Sequence, residues 1–163
     1  MPPSAYHQLG RFIVQFQHLE GAINDILELA AGGDSEATLI LINELEYSKR
    51  IDTADVLFAR FVDLHRDREA SFKDSFHALI VKLRKLGERR NELVHSRYFD
   101  WIDIEGSSGL LRSNSKLRGK KGEREEQEEE LLPDAFDKDL EELLEAFKQL
   151  EAFRLQIVEW LDP

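Results

Sequence analysis

Arg90, Asn91 and His95 fall within the segment Arg90-Asn91-Glu92-Leu93-Val94-His95, and their types and spacing suit one kind of chemistry. On a helix, Asn91 and His95 are four residues apart and share a face, with Arg90 one step round, so the three polar groups can converge where the helix ends. Cleaving RNA without a metal requires the 2'-hydroxyl to lose a proton and the leaving 5'-oxygen to gain one. It also requires the added negative charge on phosphorus to be stabilised. An imidazole, whose unperturbed pKa is near about 6.5, suits either proton transfer. A guanidinium stays charged and offers a planar fork to a phosphate. The plain alternative is structural: Arg90 pairs with a buried carboxylate such as Asp52 or Asp55, and His95 caps the helix end, where the dipole favours positive charge.

The element that must position these groups is a central helix from about Asp67 to His95. Its buried seam runs Phe72, Phe76, Leu79, Ile80, Leu83 and Leu86, then reaches Gly87, Arg90 and Leu93 by the same steps. An arginine therefore stands where the pattern asks for an apolar side chain, and it needs an anion, a hydrogen-bonding network or an opening to solvent. Gly87, one turn earlier, costs about 1 kcal/mol of helix propensity and leaves room for a close neighbour.

Other helices surround this one. Residues 4–30 carry Phe12, Ile13, Phe16, Leu19, Ile23, Ile26, Leu27 and Ala30 at helical spacing, with Ser4 as N-cap and Gly32-Gly33 as the stop. Two shorter helices follow over Glu36–Leu45 and Ser48–Leu64. A closing helix over 133–161 begins at Pro133 and has a broad apolar face that includes Leu140, Leu143, Phe147, Leu150 and Phe153. Between the central and closing helices, residues 97–112 predict a small β-hairpin around Glu105-Gly106-Ser107-Ser108-Gly109. Residues 113–132, with Leu117 as their one apolar anchor before the closing leucines, predict a charged flexible linker. The expected fold is a single all-α domain, an up-and-down helical bundle carrying a small hairpin insertion.

Composition narrows the function classes. The 163 residues include no cysteine, which excludes thiolate metal sites, disulfides and cysteine nucleophiles and favours an intracellular, cytoplasmic setting. No stretch approaches the length of an apolar membrane span, so no membrane association is expected. The chain lacks a phosphate-binding glycine loop, a His-Glu-x-x-His pair and a Gly-x-Ser-x-Gly elbow, and no cofactor or metal is expected. His7, His18, His65 and His77 are scattered without partners at catalytic spacing. The net charge of −11 is concentrated in residues 125–163, whereas Lys82–Arg97 and Arg112–Arg124 each hold six basic residues and a net positive charge. A polyanion thus has two basic stretches to meet despite the acidic total.

Arg90-Asn91-x-x-x-His95 resembles the Arg-x(4–6)-His motif of HEPN domains, in the form with asparagine after the arginine. The order of elements is also similar: a long first helix bearing Leu19-Glu20 and Ile23-Asn24, an intermediate helical pair, the motif helix and a closing helix. The resemblance covers most of the chain outside 97–132. It implies a metal-independent endoribonuclease of toxin or phage-defence type, acting as a homodimer in which the motifs of two subunits face each other across a shared cleft. Arg90 would then hold the scissile phosphate, His95 would be the acid–base group, and Asn91 would orient it or the substrate; an antitoxin or other protein partner is also implied. Some family toxins carry a modifiable tyrosine two residues after the histidine, where this chain has Arg97, with Tyr98 one later. A second class of function, a non-catalytic helical module for dimerisation or protein interaction, fits the same charge blocks and apolar faces.

Overall fold

Strand alternation governs a part of the chain that its composition disguises. The structure, a computed structural model, describes residues 1–66 and 69–162, and the side chains of these except 117 and 118. Helices α1 (Ala5–Ala31), α2 (Ser35–Asn43), α3 (Tyr47–His65) and α4 (Ala70–Val94) come first. Strands β1 (Arg97–Ile102), β2 (Ser108–Arg118) and β3 (Glu123–Leu131) follow, and α5 (Asp137–Leu161) closes the chain after a 3-10 turn at Pro133–Phe136. Asp67, where the central helix was expected to start, lies outside the described residues, as does the side chain of Leu117.

The expected all-α bundle is corrected by the sheet: five helices with a three-stranded antiparallel sheet in the order β1-β2-β3 make an α+β fold. The hairpin expected to end near 112 continues, because β2 runs on to pair with β3 over the stretch read as a flexible linker. The physical reason lies in the register. Leu110 pairs with Leu131, Arg112 with Glu129, Asn114 with Gln127 and Lys116 with Glu125, all on one face of the two strands. That face grades from apolar through charged and amide pairs back to charged, so it shows no hydrophobic period. The linker reading mistook complementary charge for solvation.

The chain divides into two compact units. One comprises Met1–Gln15 and Glu88–Glu141; the other comprises Phe16–Gly87 and Glu142–Pro163. The second is an apolar helical core in which Phe58 stacks on Phe76 at 4.2 Å and both meet the edge of Phe153. Gly87 is needed there: a Cβ at this position would lie 2.4 Å from Cε1 of Tyr47, whose hydroxyl donates to the Leu83 carbonyl at 2.7 Å. Burial pushes the Tyr47 phenol well above its ordinary pKa, so it remains a donor. In the same unit Asp52 accepts from Arg84 at 2.6 Å and Asp55 meets His77 at 2.6 Å.

The first unit holds the sheet, the start of α1 and the end of α4. Its buried side chains include Phe12, Leu93, Leu110, Leu131, Phe136 and Leu140, together with the polar Gln8 and Arg112. Gly109 marks a close approach of strands, since a Cβ there would lie 2.6 Å from the Leu131 carbonyl oxygen.

Candidate functional site

The last turn of α4 leaves carbonyls without helical partners, and the chain just beyond supplies them. The His95 amide donates to the Asn91 carbonyl at 3.0 Å, the Ser96 hydroxyl donates to the Glu92 carbonyl, and the Tyr98 hydroxyl donates to the Leu93 carbonyl at 2.6 Å. Burial pushes the Tyr98 phenol up, which keeps that donor protonated. These three bonds fix the helix end from which Asn91 and His95 project.

Asn91 and His95, both exposed, line an open groove of ≈ 380 Å³ together with Glu88 and Glu92 from α4 and Asn114 and Lys116 from β2. Glu88, Asn91 and Glu92 of α4, and His95 just past its end, follow a helical spacing of three and four along one face. Asn114 and Lys116 come from the graded strand face described above, two and four residues beyond Arg112. Among the described residues the groove combines an imidazole, two carboxylates, two amides and one ammonium.

Arg90 is half-buried and does not line this groove, although its Nη1 donates to the Asn91 Oδ1 at 3.0 Å. Of the three expected residues, the structure thus brings Asn91 and His95 together in the groove and ties Arg90 to them through the Asn91 amide. Among the described residues the cation lining the groove itself is Lys116, which the linker reading passed over.

The neighbouring arginine has a different setting. Arg89 donates through Nη1 and Nη2 to the two Glu129 carboxylate oxygens, each at 2.8 Å, through Nε to Asp139 at 3.0 Å, and more weakly to Glu92 at 3.5 Å. Glu129 also accepts from the Arg112 Nε at 2.8 Å, and the Arg112 Nη1 donates to Ser96 Oγ at 3.0 Å. The Arg112 side chain is only 5% exposed, so its charge depends on Glu129. Burial works against the Arg89 charge, but the bonds and charges of Glu129 and Asp139 outweigh it and hold the guanidinium above its ordinary range. Burial likewise opposes ionisation of Glu129, yet Arg89 and Arg112 hold its carboxyl below the usual range.

This cluster adjoins the groove, since Glu92 lines the groove and touches Arg89, and Ser96 connects the α4 end to Arg112. The alternation Arg112-x-Asn114-x-Lys116, set against Glu125-x-Gln127-x-Glu129, is the signal in the sequence that could have shown the strands and the missing groove residues. Among the described residues no group of three histidine or acidic side chains converges to hold a metal ion. Among them, too, no helix is long and apolar enough to cross a membrane. No family model, curated protein or solved structure matches this chain.

Proposed function

We propose that the groove between the end of α4 and β2 cleaves RNA by metal-independent transesterification. The observation that carries this reading is the groove itself, in which His95 and Asn91 meet a lysine and a carboxylate from the same chain. In the step proposed, a base removes the proton of a 2'-hydroxyl, whose oxygen bonds to the adjacent phosphorus while the bond to the 5'-oxygen breaks. An acid delivers a proton to that leaving oxygen, and the products are a 2',3'-cyclic phosphate and a 5'-hydroxyl. His95 serves one transfer and Glu88 the other. Their Cα atoms lie two turns apart on one face, about 10 Å along the helix, and two side chains can flank a phosphodiester across that span. Glu92 is less suited because Arg89 already engages it.

Lys116 is the cation for the phosphorane charge, Asn91 and Asn114 are neutral donors, and Arg90 orients Asn91 and adds positive potential at its side. The resemblance of Arg90-Asn91-x-x-x-His95 to the HEPN motif supports the same chemistry and suggests a cytoplasmic toxin or phage-defence role held in check by an antitoxin. A homodimer would then duplicate the groove as well as bring two motifs near each other.

The test is incubation of purified protein with RNA in EDTA, beside His95→Ala and Lys116→Ala, with circular dichroism to verify folding. Cleavage that survives EDTA, leaves cyclic-phosphate ends and is lost in folded His95→Ala is the expected result. Cleavage that needs added metal, or that persists in His95→Ala, overturns the reading. In the second case the interaction-module alternative takes its place.

A further inference from the structure

The sheet has two edges that differ sharply in charge. On β3, six of the nine residues, Glu123, Glu125, Glu126 and Glu128 to Glu130, are acidic, and an edge of like charge repels a copy of itself. On β1, Arg97-Tyr98-Phe99-Asp100-Trp101-Ile102 has one cation and one anion. Phe99 is 54% exposed, Ile102 66%, and Ile104 just beyond is fully exposed. Among the described residues β1 has β2 on one side and no strand on the other. An edge with exposed apolar side chains and a single anion at its middle is a template for a further strand.

We propose that β1 is an interface for a second copy of this chain, the two β1 strands pairing antiparallel about a two-fold axis at Asp100 to make one six-stranded sheet. The choice of occupant rests on self-complementarity. Such an axis stands perpendicular to the sheet, so residues that oppose each other must share a face and differ in number by an even count. In the register centred on Asp100, Arg97 of each copy meets Asp103 of the other, Phe99 meets Trp101, and Tyr98 meets Ile102. Both ends then carry an opposite-charge pair and the middle carries two aromatic pairs. Centring on Phe99 places Arg97 opposite Trp101 and Tyr98 opposite Asp100. Centring on Trp101 places Phe99 opposite Asp103 and Asp100 opposite Ile102. Both of these registers lose the charge match.

Asp103 is well placed for this role. Its Oδ1 accepts the amides of Glu105 at 3.0 Å and Ser107 at 2.7 Å, which fixes it at the end of the strand. The one unfavourable contact in the register is Asp100 facing its own copy. Each Asp100 accepts the hydroxyl of Tyr6 within its chain, and the like charges across the axis keep the dimer concentration-dependent.

The absence of cysteine makes the register directly testable. Directly opposed residues of antiparallel strands have Cα atoms about 4.5–5.5 Å apart, within disulfide range, so a single cysteine at the axis can bond to its own copy. Asp100→Cys is expected to form a reductant-sensitive dimer on non-reducing gels much faster than Glu126→Cys on the other edge. Asp100→Asn is expected to lower the dimerisation midpoint in analytical ultracentrifugation at least about threefold, which requires no covalent trapping. Equal crosslinking rates for the two cysteine variants, or an Asp100→Asn chain as monomeric as wild type, overturn the proposal and leave the edge to a strand from a different protein. None of these substitutions touches the groove, so RNA cleavage and strand pairing succeed or fail separately.

Discussion

Arg89 and Arg90 are neighbours on one helix and identical in type, yet they engage different groups. Arg89 is surrounded by Glu129, Asp139 and Glu92, and through Glu129 it is joined to the nearly buried Arg112. Arg90 is turned about 100° away by the helical step, and its Nη1 donates to the exposed amide of Asn91. The first arginine cements a sheet to a helix; the second stands beside a groove. The difference teaches that in this unit charge is packing material, and that one residue of helical phase decides which groups a guanidinium meets.

The strongest way to sharpen the comparison is to remove one member from each setting. His95→Ala, in the groove, is expected to lower RNA cleavage by about a hundredfold or more while leaving the melting temperature within a degree or two, because the side chain is exposed. Glu129→Ala, beside the groove, is expected to do the reverse. It leaves the Arg112 guanidinium buried without its carboxylate and should cost about 2–3 kcal/mol, below the range for a fully buried pair because Glu129 is partly exposed. Thermal unfolding should then shift down by about 5–10 °C. If His95→Ala melts early, or Glu129→Ala abolishes cleavage while stability is unchanged, the division between brace and groove is wrong.

The Glu129 effect also has a pH signature. Its folded-state carboxyl is held below the usual range, so the unfolded chain takes up the proton more readily than the folded one. The stabilisation is therefore fully present above about pH 4.5, the unfolded carboxylate range, and is lost as pH falls through the lowered folded value. Wild type and Glu129→Gln should differ in urea midpoint at pH 7 and converge in acid; a constant difference down to pH 2 would break the assignment.

A smaller effect tests the strand spacing that brings this face together. Gly109→Ala would place a methyl 2.6 Å from the Leu131 carbonyl oxygen, a backbone atom held in the ladder, and should cost about 1–3 kcal/mol. Gly87→Ala meets the Tyr47 ring instead, and the gain of about 1 kcal/mol in helix propensity offsets part of its cost. Gly109→Ala should therefore have the lower urea midpoint of the two.

The helices were legible because their burial follows a period of 3.6 in plain apolar letters. The stripe Phe12, Phe16, Leu19, Ile23 and Leu27 is fully buried in α1, as are Phe76, Leu79, Ile80 and Leu83 in α4. Gly87 was legible as a point of close approach, although its neighbour Tyr47 was not. The second and third strands were hidden because Glu-Arg-Glu-Glu-Gln-Glu-Glu-Glu looks like a solvated run until Arg112, Asn114 and Lys116 are set opposite it. Register is a long-range property, and no local window contains both partners. The site was half visible for the same reason. Asn91 and His95 come from one helix face, but Lys116 and Asn114 arrive from a strand 20 residues or so further on. The seam spacing singled out Arg90, whereas Arg89, one residue earlier, is the one bound by Glu129, Asp139 and Glu92.

The finest test of the comparison keeps the charge and removes only the fork. Arg89→Lys retains a cation near Glu129 and Asp139, but one ammonium cannot reproduce two parallel bonds to one carboxylate and a third to another. A loss of about 1 kcal/mol follows, read as a lower urea midpoint with an unchanged slope. Arg90→Lys gives up the bond from Nη1 to the Asn91 amide and should cost less than Arg89→Lys. Its effect belongs in cleavage kinetics, as a few-fold fall in rate from a less well oriented Asn91. Equal stability losses at the two positions would mean that the helical phase does not separate them, and the contrast between the two arginines would fail at its root.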